Sequence, residues 1–169
     1  MPVRVPPHKE AEDDPGPKHR LAMCRLAVEH DKRLVVSELE LLRDGPSYTV
    51  DTLRELDAED PARELTFILG ADMARSLMRW REPREIVSLA RLAVAEREGT
   101  AGQEIGEALS ALGSEARVDF LDMPAIDVSS SLVRDRVAAG ETVDGLVPND
   151  VAAYIRAHGL YGALSSTGR

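Results

Sequence analysis

Leu65-Thr66-Phe67-Ile68-Leu69-Gly70-Ala71-Asp72 decides the fold. Leu65 to Leu69 is a short apolar and β-branched run, which reads as a strand of the buried type. Gly70 stops it, and from about Met73 to Met78 the spacing of apolar residues turns helical. Working outward toward the C-terminus, the same alternation repeats. Glu85 to Leu89 is a short helix, Leu92 to Ala95 a strand, Gly99 to Gly102 a loop, and Glu104 to Leu112 an amphipathic helix. Val118 to Leu121 is the last strand, and Ser130 to Ala139 and Asn149 to His158 are helices. Toward the N-terminus, Thr49 to Leu56 is predicted as a helix with Thr49 as its N-cap. Leu34 to Leu42 reads as a strand broken by Gly45-Pro46, and Pro17 to Asp31 as a helix. Residues 1–17 hold five prolines and read as an exposed loop, with Val3-Arg4-Val5 as the end of a strand. Strands alternating with helices predict an α/β fold with a mostly parallel sheet and flanking helices. One domain over residues 1–161 and a flexible tail over 162–169 are expected.

Composition narrows the function classes. With 169 residues, 43% apolar and 30% charged, the chain suits one globular domain with a sizeable core. A formal net charge of −9 disfavours general binding to nucleic acid backbones. The single cysteine, Cys24, excludes an internal disulfide and fits a reducing cytoplasm. No apolar run reaches the length that crosses a bilayer, so no membrane partner is expected. The four histidines show no metal-ligand spacing, and no Walker lysine loop or GxGxxG is present.

In a parallel sheet, ligands gather at the carboxyl ends of the strands. Four segments there can carry chemistry, and each has a plainer alternative. Pro6-Pro7-His8-Lys9 presents two cationic groups on a stiff loop suited to a phosphate, or is a solvated tail. Gly70-Ala71-Asp72 allows close ligand approach and a carboxylate for ribose hydroxyls, or is a turn in which Asp72 caps the next helix. Trp80, the sole tryptophan, can stack on a planar heterocycle, or simply covers the core. Ser129-Ser130-Ser131 with Arg134 combines hydroxyls, first-turn amides and a cation into an anion site, or is N-capping by serine.

Together these segments resemble bacterial nicotinate-nucleotide adenylyltransferases, over about residues 3–161. The order carries the resemblance: Pro6-Pro7-His8-Lys9, Glu38-Leu39-Glu40 with Arg43, and Pro46-Ser47-Tyr48-Thr49 with Thr52-Leu53. Gly70-Ala71-Asp72, Trp80, Arg97, Ser129-Ser130-Ser131 with Arg134, Leu146-Val147-Pro148 and Gly159-Leu160-Tyr161 follow. The resemblance implies a Rossmann-like nucleotidyltransferase fold and transfer of AMP from ATP to nicotinate mononucleotide, giving deamido-NAD and pyrophosphate in NAD biosynthesis. It implies Mg²⁺ bound with the ATP. On the substrate side it implies Thr49 at the nicotinate carboxylate and Trp80 on the pyridine ring. Gly70 and Asp72 would lie along the ribose and phosphate, with His8, Lys9 and Arg97 on the mononucleotide side. Ser130, Ser131 and Arg134 would hold the ATP phosphates.

The family also opens with a strand and a Gly-x-Phe-Asp-Pro…His-x-Gly-His loop, whose histidines bind ATP phosphates and stabilise the transition state. Residues 1–169 contain no such motif. The catalytic residues are therefore unknown from this sequence, the first strand of the sheet is expected to be missing, and the chain as written is expected to have little or no turnover. Two competing readings stand beside this one. One is an inactive or truncated mononucleotide-binding relic. The other is an adenylyltransferase of the pantetheine-phosphate type, against which Ser47-Tyr48-Thr49 with Trp80 argues. Oligomeric state is left open.

Overall fold

The computed structural model describes residues 1–4, 14–96, 102–113, 116–124 and 126–162. The helices in chain order are α1 (Pro17–Val28), α2 (Leu39–Leu42), α3 (Thr49–Glu59), α4 (Ala71–Ser76), α5 (Pro83–Leu89), α6 (Gly102–Ser110), α7 (Ser130–Ala138) and α8 (Asn149–Ala157). The strands are β1 (Leu65–Gly70), β2 (Ala90–Glu96) and β3 (Val118–Asp122). Tight 3₁₀ turns lie at Leu77–Arg79 and Leu160–Gly162. The chain divides into two compact units: Tyr48–Ile126 in one, Met1–Ser47 with Asp127–Arg169 in the other.

Tyr48–Ile126 holds the sheet. Its strands run parallel in the order β1-β2-β3, with Leu65 opposite Ala90 and Leu92 opposite Val118. β2 is central, and it is buried on both faces: Ala90, Leu92 and Val94 on one and Ala93 on the other. β1 is an edge strand among the described residues: Leu69 is buried and Ile68 is exposed. Val50 and Leu53 of α3, Ala74 of α4, Leu77, Ile86 of α5 and Leu109 of α6 complete one core. Removing such side chains from water supplies most of the unit's stability.

The entry to α5 is strained. Glu82 sits in the left-handed region at φ 50°, ψ 55°, immediately before Pro83. The proline ring disfavours the right-handed helical backbone for the residue before it. A left-handed non-glycine residue costs about 1–2 kcal/mol.

The other unit is helical. Val133 and Val137 of α7, Val151, Ala152 and Ile155 of α8, Val143 and Leu160 form its core. α1 packs on α8 without fully burying any residue, through Met23, Leu26 and a ring cluster. His19 Nδ1 lies 3.0 Å from the Tyr154 hydroxyl, and the His19 and His158 rings are 5.2 Å apart. Arg20 of α1 donates to the Val3 carbonyl at 2.6 Å and to the Arg4 carbonyl at 3.1 Å, and also pairs with Asp14. That guanidinium holds the Asp14 carboxyl below its ordinary value.

The three strands and the helices from α3 onward follow the sequence reading to within a few residues. Three expectations do not hold. Leu34 to Leu42 is not a strand: residues 34–38 are irregular and 39–42 are helical. The Leu41 and Leu42 amides donate to the Glu38 carbonyl at 2.9 and 3.1 Å. The Ser37 hydroxyl accepts from the Leu39 amide. Leucine and glutamate are good helix formers, and these local bonds prevail over an alternation of short period. Val35 is left 87% exposed. Nor is Thr49 the N-cap of α3. Tyr48 holds that position in extended backbone, and Thr49 is the first helical residue. Val3 and Arg4 form no strand, and Val5 lies outside the described residues.

Candidate functional site

The two groups of site residues that the sequence singled out fall in different units. In the helical unit they gather at the start of α7. Ser129 is the N-cap, in extended backbone, and its hydroxyl accepts from the Leu132 amide at 3.1 Å. The serine-capping alternative is therefore correct for Ser129, and it leaves the hydroxyls of Ser130 and Ser131 for other work. Arg134, one turn on, donates to the Ser131 hydroxyl at 3.3 Å. It is half-buried and has no carboxylate partner among the described residues.

Ser129, Ser130 and Arg134 border a cleft of about 330 Å³, with Ser131 reached through Arg134. Ser129, Ser130, Arg134 and Tyr161 make the polar edge, while Met23, Val133, Leu146, Val151 and Ile155 line the interior. Burial pushes the Tyr161 phenol above its ordinary value, opposed by the positive charge of Arg134. Tyr161 is itself left-handed at φ 57°. A cation, hydroxyls and helix-start amides on an apolar cleft can hold a phosphate with an uncharged flat group beneath it. Tyr161 and the apolar lining were not singled out from sequence as site residues, because they come from segments far apart in the chain.

In the sheet unit, Thr49 opens α3 and is half-buried. The first-turn amides of a helix have no acceptor within it, so this end favours an anion. Trp80 closes the 3₁₀ turn after α4. Its indole N–H donates to the Ser76 hydroxyl at 3.0 Å, and its ring meets Phe67 of β1 edge-on at 6.1 Å. It is packed against the core but not enclosed, so the core-covering alternative accounts for part of its surface. The neighbours of Trp80 and Thr49 touch one another. The Arg81 guanidinium lies 4.8 Å from the Tyr48 ring centroid and 3.4 Å from Asp51.

Arg54 of α3 is the hub of this region. It donates to Glu85 at 2.7 Å, to Glu82 at 2.5 Å and to Asp51 at 3.1 Å. Glu85, then Glu82, hold the guanidinium proton more tightly than usual, and Arg54 in turn keeps the Glu85 carboxyl low. Sequence reasoning passed over Arg54 and Arg81, and named Tyr48 only as part of the Ser47-Tyr48-Thr49 motif. The Asp51–Arg54 spacing of three was a signal for one of these contacts; the rest are long-range.

Gly70 ends β1 and precedes α4. Its φ of −73° does not require glycine, and a Cβ placed there would meet no heavy atom within 4 Å. The space is open to an approaching group. Asp72 is not the cap of α4; it lies inside the first turn, 98% exposed, paired with Arg75 at 2.9 Å. His8, Lys9 and Arg97, expected on the mononucleotide side, lie outside the described residues. Glu29, His30 and Asp150 gather within 4.8 Å at the surface of the helical unit, the one such trio among the described residues. No helix among the described residues is long and apolar enough to cross a membrane.

The sequence profile of the family described as Cytidylyltransferase-like matches residues 1–136. The "Probable nicotinate-nucleotide adenylyltransferase" of Geobacillus thermodenitrificans is 39% identical over 166 residues, covering 98% of this chain and 72% of the relative. The protein so described in Dehalococcoides mccartyi is 40% identical, covering 95% of this chain and 80% of the relative. Among solved structures, the Plasmodium falciparum nicotinic acid mononucleotide adenylyltransferase complexed with NaAD superposes with a TM-score of 0.68. The match covers 87% of this chain and 75% of that one at 17% identity, which speaks to the fold.

Proposed function

The chain belongs to the nicotinate-nucleotide adenylyltransferase family, and from that premise we propose how its residues divide the work. The reaction joins the AMP part of ATP to nicotinate mononucleotide and releases pyrophosphate. It needs no covalent nucleophile, so positioning and charge neutralisation carry the catalysis.

We assign the α7 cleft to ATP. Ser130, Ser131 and the first-turn amides of α7 meet phosphate oxygens, Arg134 neutralises them, and the apolar interior takes the uncharged base. The observation that carries this reading is Arg134: a half-buried guanidinium, bonded to the Ser131 hydroxyl, on the rim of an apolar cleft. A cation so placed gains most from an anion brought by a ligand. No carboxylate lines the cleft among the described residues. The cleft residues would leave Mg²⁺ to be carried by the ATP, and the ion would supply further neutralisation of phosphate charge.

The start of α3 and Trp80 are assigned to nicotinate mononucleotide. Thr49 and the α3 amides donate to the carboxylate, Trp80 covers the pyridine ring, and Gly70 leaves room for the ribose. Asp72, turned to solvent beside Arg75, has to change rotamer to reach it. Lys9, His8 and Arg97 are assigned to the same substrate on the family resemblance.

Equilibrium binding tests the division. Arg134→Ala should weaken ATP binding by roughly 1.5–3 kcal/mol, about 10- to 150-fold, through loss of a charge-assisted contact. Nicotinate mononucleotide affinity should be unchanged. Unaltered ATP affinity in calorimetry returns Arg134 to a surface role.

A further inference from the structure

We propose that Arg54 is a positioning residue for nicotinate mononucleotide: it holds the Trp80-Arg81-Glu82 segment against the start of α3. The inference rests on Trp80 as the ring-stacking residue.

Up to Trp80 the segment is held from its own side: the indole bonds Ser76, the backbone amide donates to the Leu77 carbonyl at 3.0 Å, and the ring meets Phe67 edge-on and packs against the core. Two residues later Glu82 occupies the left-handed region, and Pro83 follows. Pro83 disfavours the right-handed helical backbone at Glu82, so the strain-free alternative is extended. A change at Glu82 from left-handed to extended would redirect the chain just after Trp80. The Glu85 and Ile86 amides donate to the Glu82 carbonyl at 3.1 and 3.2 Å, and a set of side-chain bonds from α3 adds to their hold against that change. The Arg54 fork reaches Glu82 at 2.5 Å and Glu85 at 2.7 Å, one carboxylate at the strained residue and one inside the first turn of α5. Its remaining nitrogen meets Asp51 at 3.1 Å. Arg81 adds a second tie, 3.4 Å from Asp51 and from Glu82, and lies over Tyr48.

The geometry selects arginine. A planar guanidinium bonds two or three carboxylates in fixed directions at once, whereas an ammonium is a single point charge. Exposed ion pairs of this kind add little to global stability. Their worth here is to hold one backbone arrangement, which lowers the ordering cost when a ligand arrives. Strain persists in a native backbone where surrounding contacts over-determine it, and it gathers at ligand clamps. Asp51 and Arg54 lie in the helix that starts at Thr49, with Tyr48 as its N-cap, so the same helix end that faces the carboxylate also sets the height of the tryptophan.

The test uses the full chain and reads two things. Acrylamide quenching of Trp80 without ligand reports how firmly the segment is held. Calorimetric titrations with nicotinate mononucleotide and, separately, ATP report the consequence. For Arg54→Ala, quenching should rise, mononucleotide affinity should fall about tenfold, and ATP affinity should stay within about twofold. Arg54→Lys should fall between Arg54→Ala and wild type. Adding Glu82→Gly to Arg54→Ala should recover most of the loss, because glycine accepts the left-handed backbone without strain. A purely structural arginine would not be rescued in that way.

Wild-type quenching and affinity in Arg54→Ala overturn the proposal, as does an equal loss for ATP and mononucleotide. If Arg54→Ala does not fold, Arg54→Lys is judged on the same two readouts. Trp80→Leu separates the two failures. Wild-type mononucleotide affinity in Trp80→Leu removes the stacking assignment and this proposal with it. A loss in Trp80→Leu alongside an unaffected Arg54→Ala removes Arg54 alone.

Discussion

Arg134 in the helical unit and Arg54 in the sheet unit are both half-buried, each in the second turn of its helix, and they are wired in opposite ways. Arg54 spends its donors on three carboxylates of its own unit, Asp51, Glu82 and Glu85. Arg134 meets a serine hydroxyl on the rim of an open cleft. An arginine saturated from within organises the chain around it. One with hydroxyls for company is completed by an anion from outside. The same residue type therefore fits positioning in one region and ligand capture in the other, and the difference lies in its neighbours.

The cores around them differ as well. In the sheet unit, Leu92 is fully buried on the central strand; in the helical unit, Ile155 is buried but borders the cleft. Leu92→Ala should cost about 2–5 kcal/mol, read by denaturant unfolding. Ile155→Ala should fall at the low end of that range, because the adjoining cleft lets neighbours relax. A larger cost at Ile155 would mean that the cleft is a rigid cavity.

Substrate choice sharpens the contrast next. If the α3 start receives a carboxylate, nicotinate mononucleotide should bind a few-fold to about thirtyfold more tightly than the amide, the range expected for charge at a helix N-terminus. Raising salt should narrow the gap. Equal affinities in calorimetry would detach Thr49 from the site. Smaller again is the expected effect of Trp80→Leu: loss of stacking worth about 0.5–1.5 kcal/mol beyond area burial, a few-fold to about tenfold in mononucleotide affinity. Trp80→Phe should lose less, and ATP affinity should not move in either variant.

The least of the expected effects is on pH dependence. Arg54 depresses the Glu85 carboxyl below 4.5, its ordinary value. A depressed carboxyl contributes stability that is present above its unfolded value and lost as pH falls through the folded one. Stability of the wild type should therefore decline more steeply below about pH 4.5 than that of Glu85→Gln, measured by unfolding across the acid range. Parallel curves would show that the Arg54 network has no net coupling to folding.

Much of this was legible in order along the chain. Leu65 to Gly70, Leu92 to Ala95 and Val118 to Leu121 announced the strands as short runs rich in apolar and β-branched residues, although only the central one, β2, is buried at successive positions. The serines before α7 announced a helix start, because capping needs only the residue and the amides two and three ahead of it. Leu34 to Leu42 misled because alternation over so short a stretch also fits a single helical turn, and local bonds to the Glu38 carbonyl decided between them.

By itself, then, the sequence determined most of the strand–helix order, the helix start at Ser129, and the family. Those depend on hydrophobic period, capping and motif order, all of which act between residues near in the chain. Tertiary structure alone decided that Arg54 would meet Glu82 and Glu85, 28 and 31 residues away, and that Met23 and Ile155 would line one cleft. It also decided which arginine would be saturated by carboxylates of its own unit and which would meet a serine hydroxyl beside a cleft. The physical reason is the range of the forces. Backbone hydrogen bonds and apolar periodicity are written locally, whereas the partner of a charged side chain is whatever the packed core brings within about 3 Å of it.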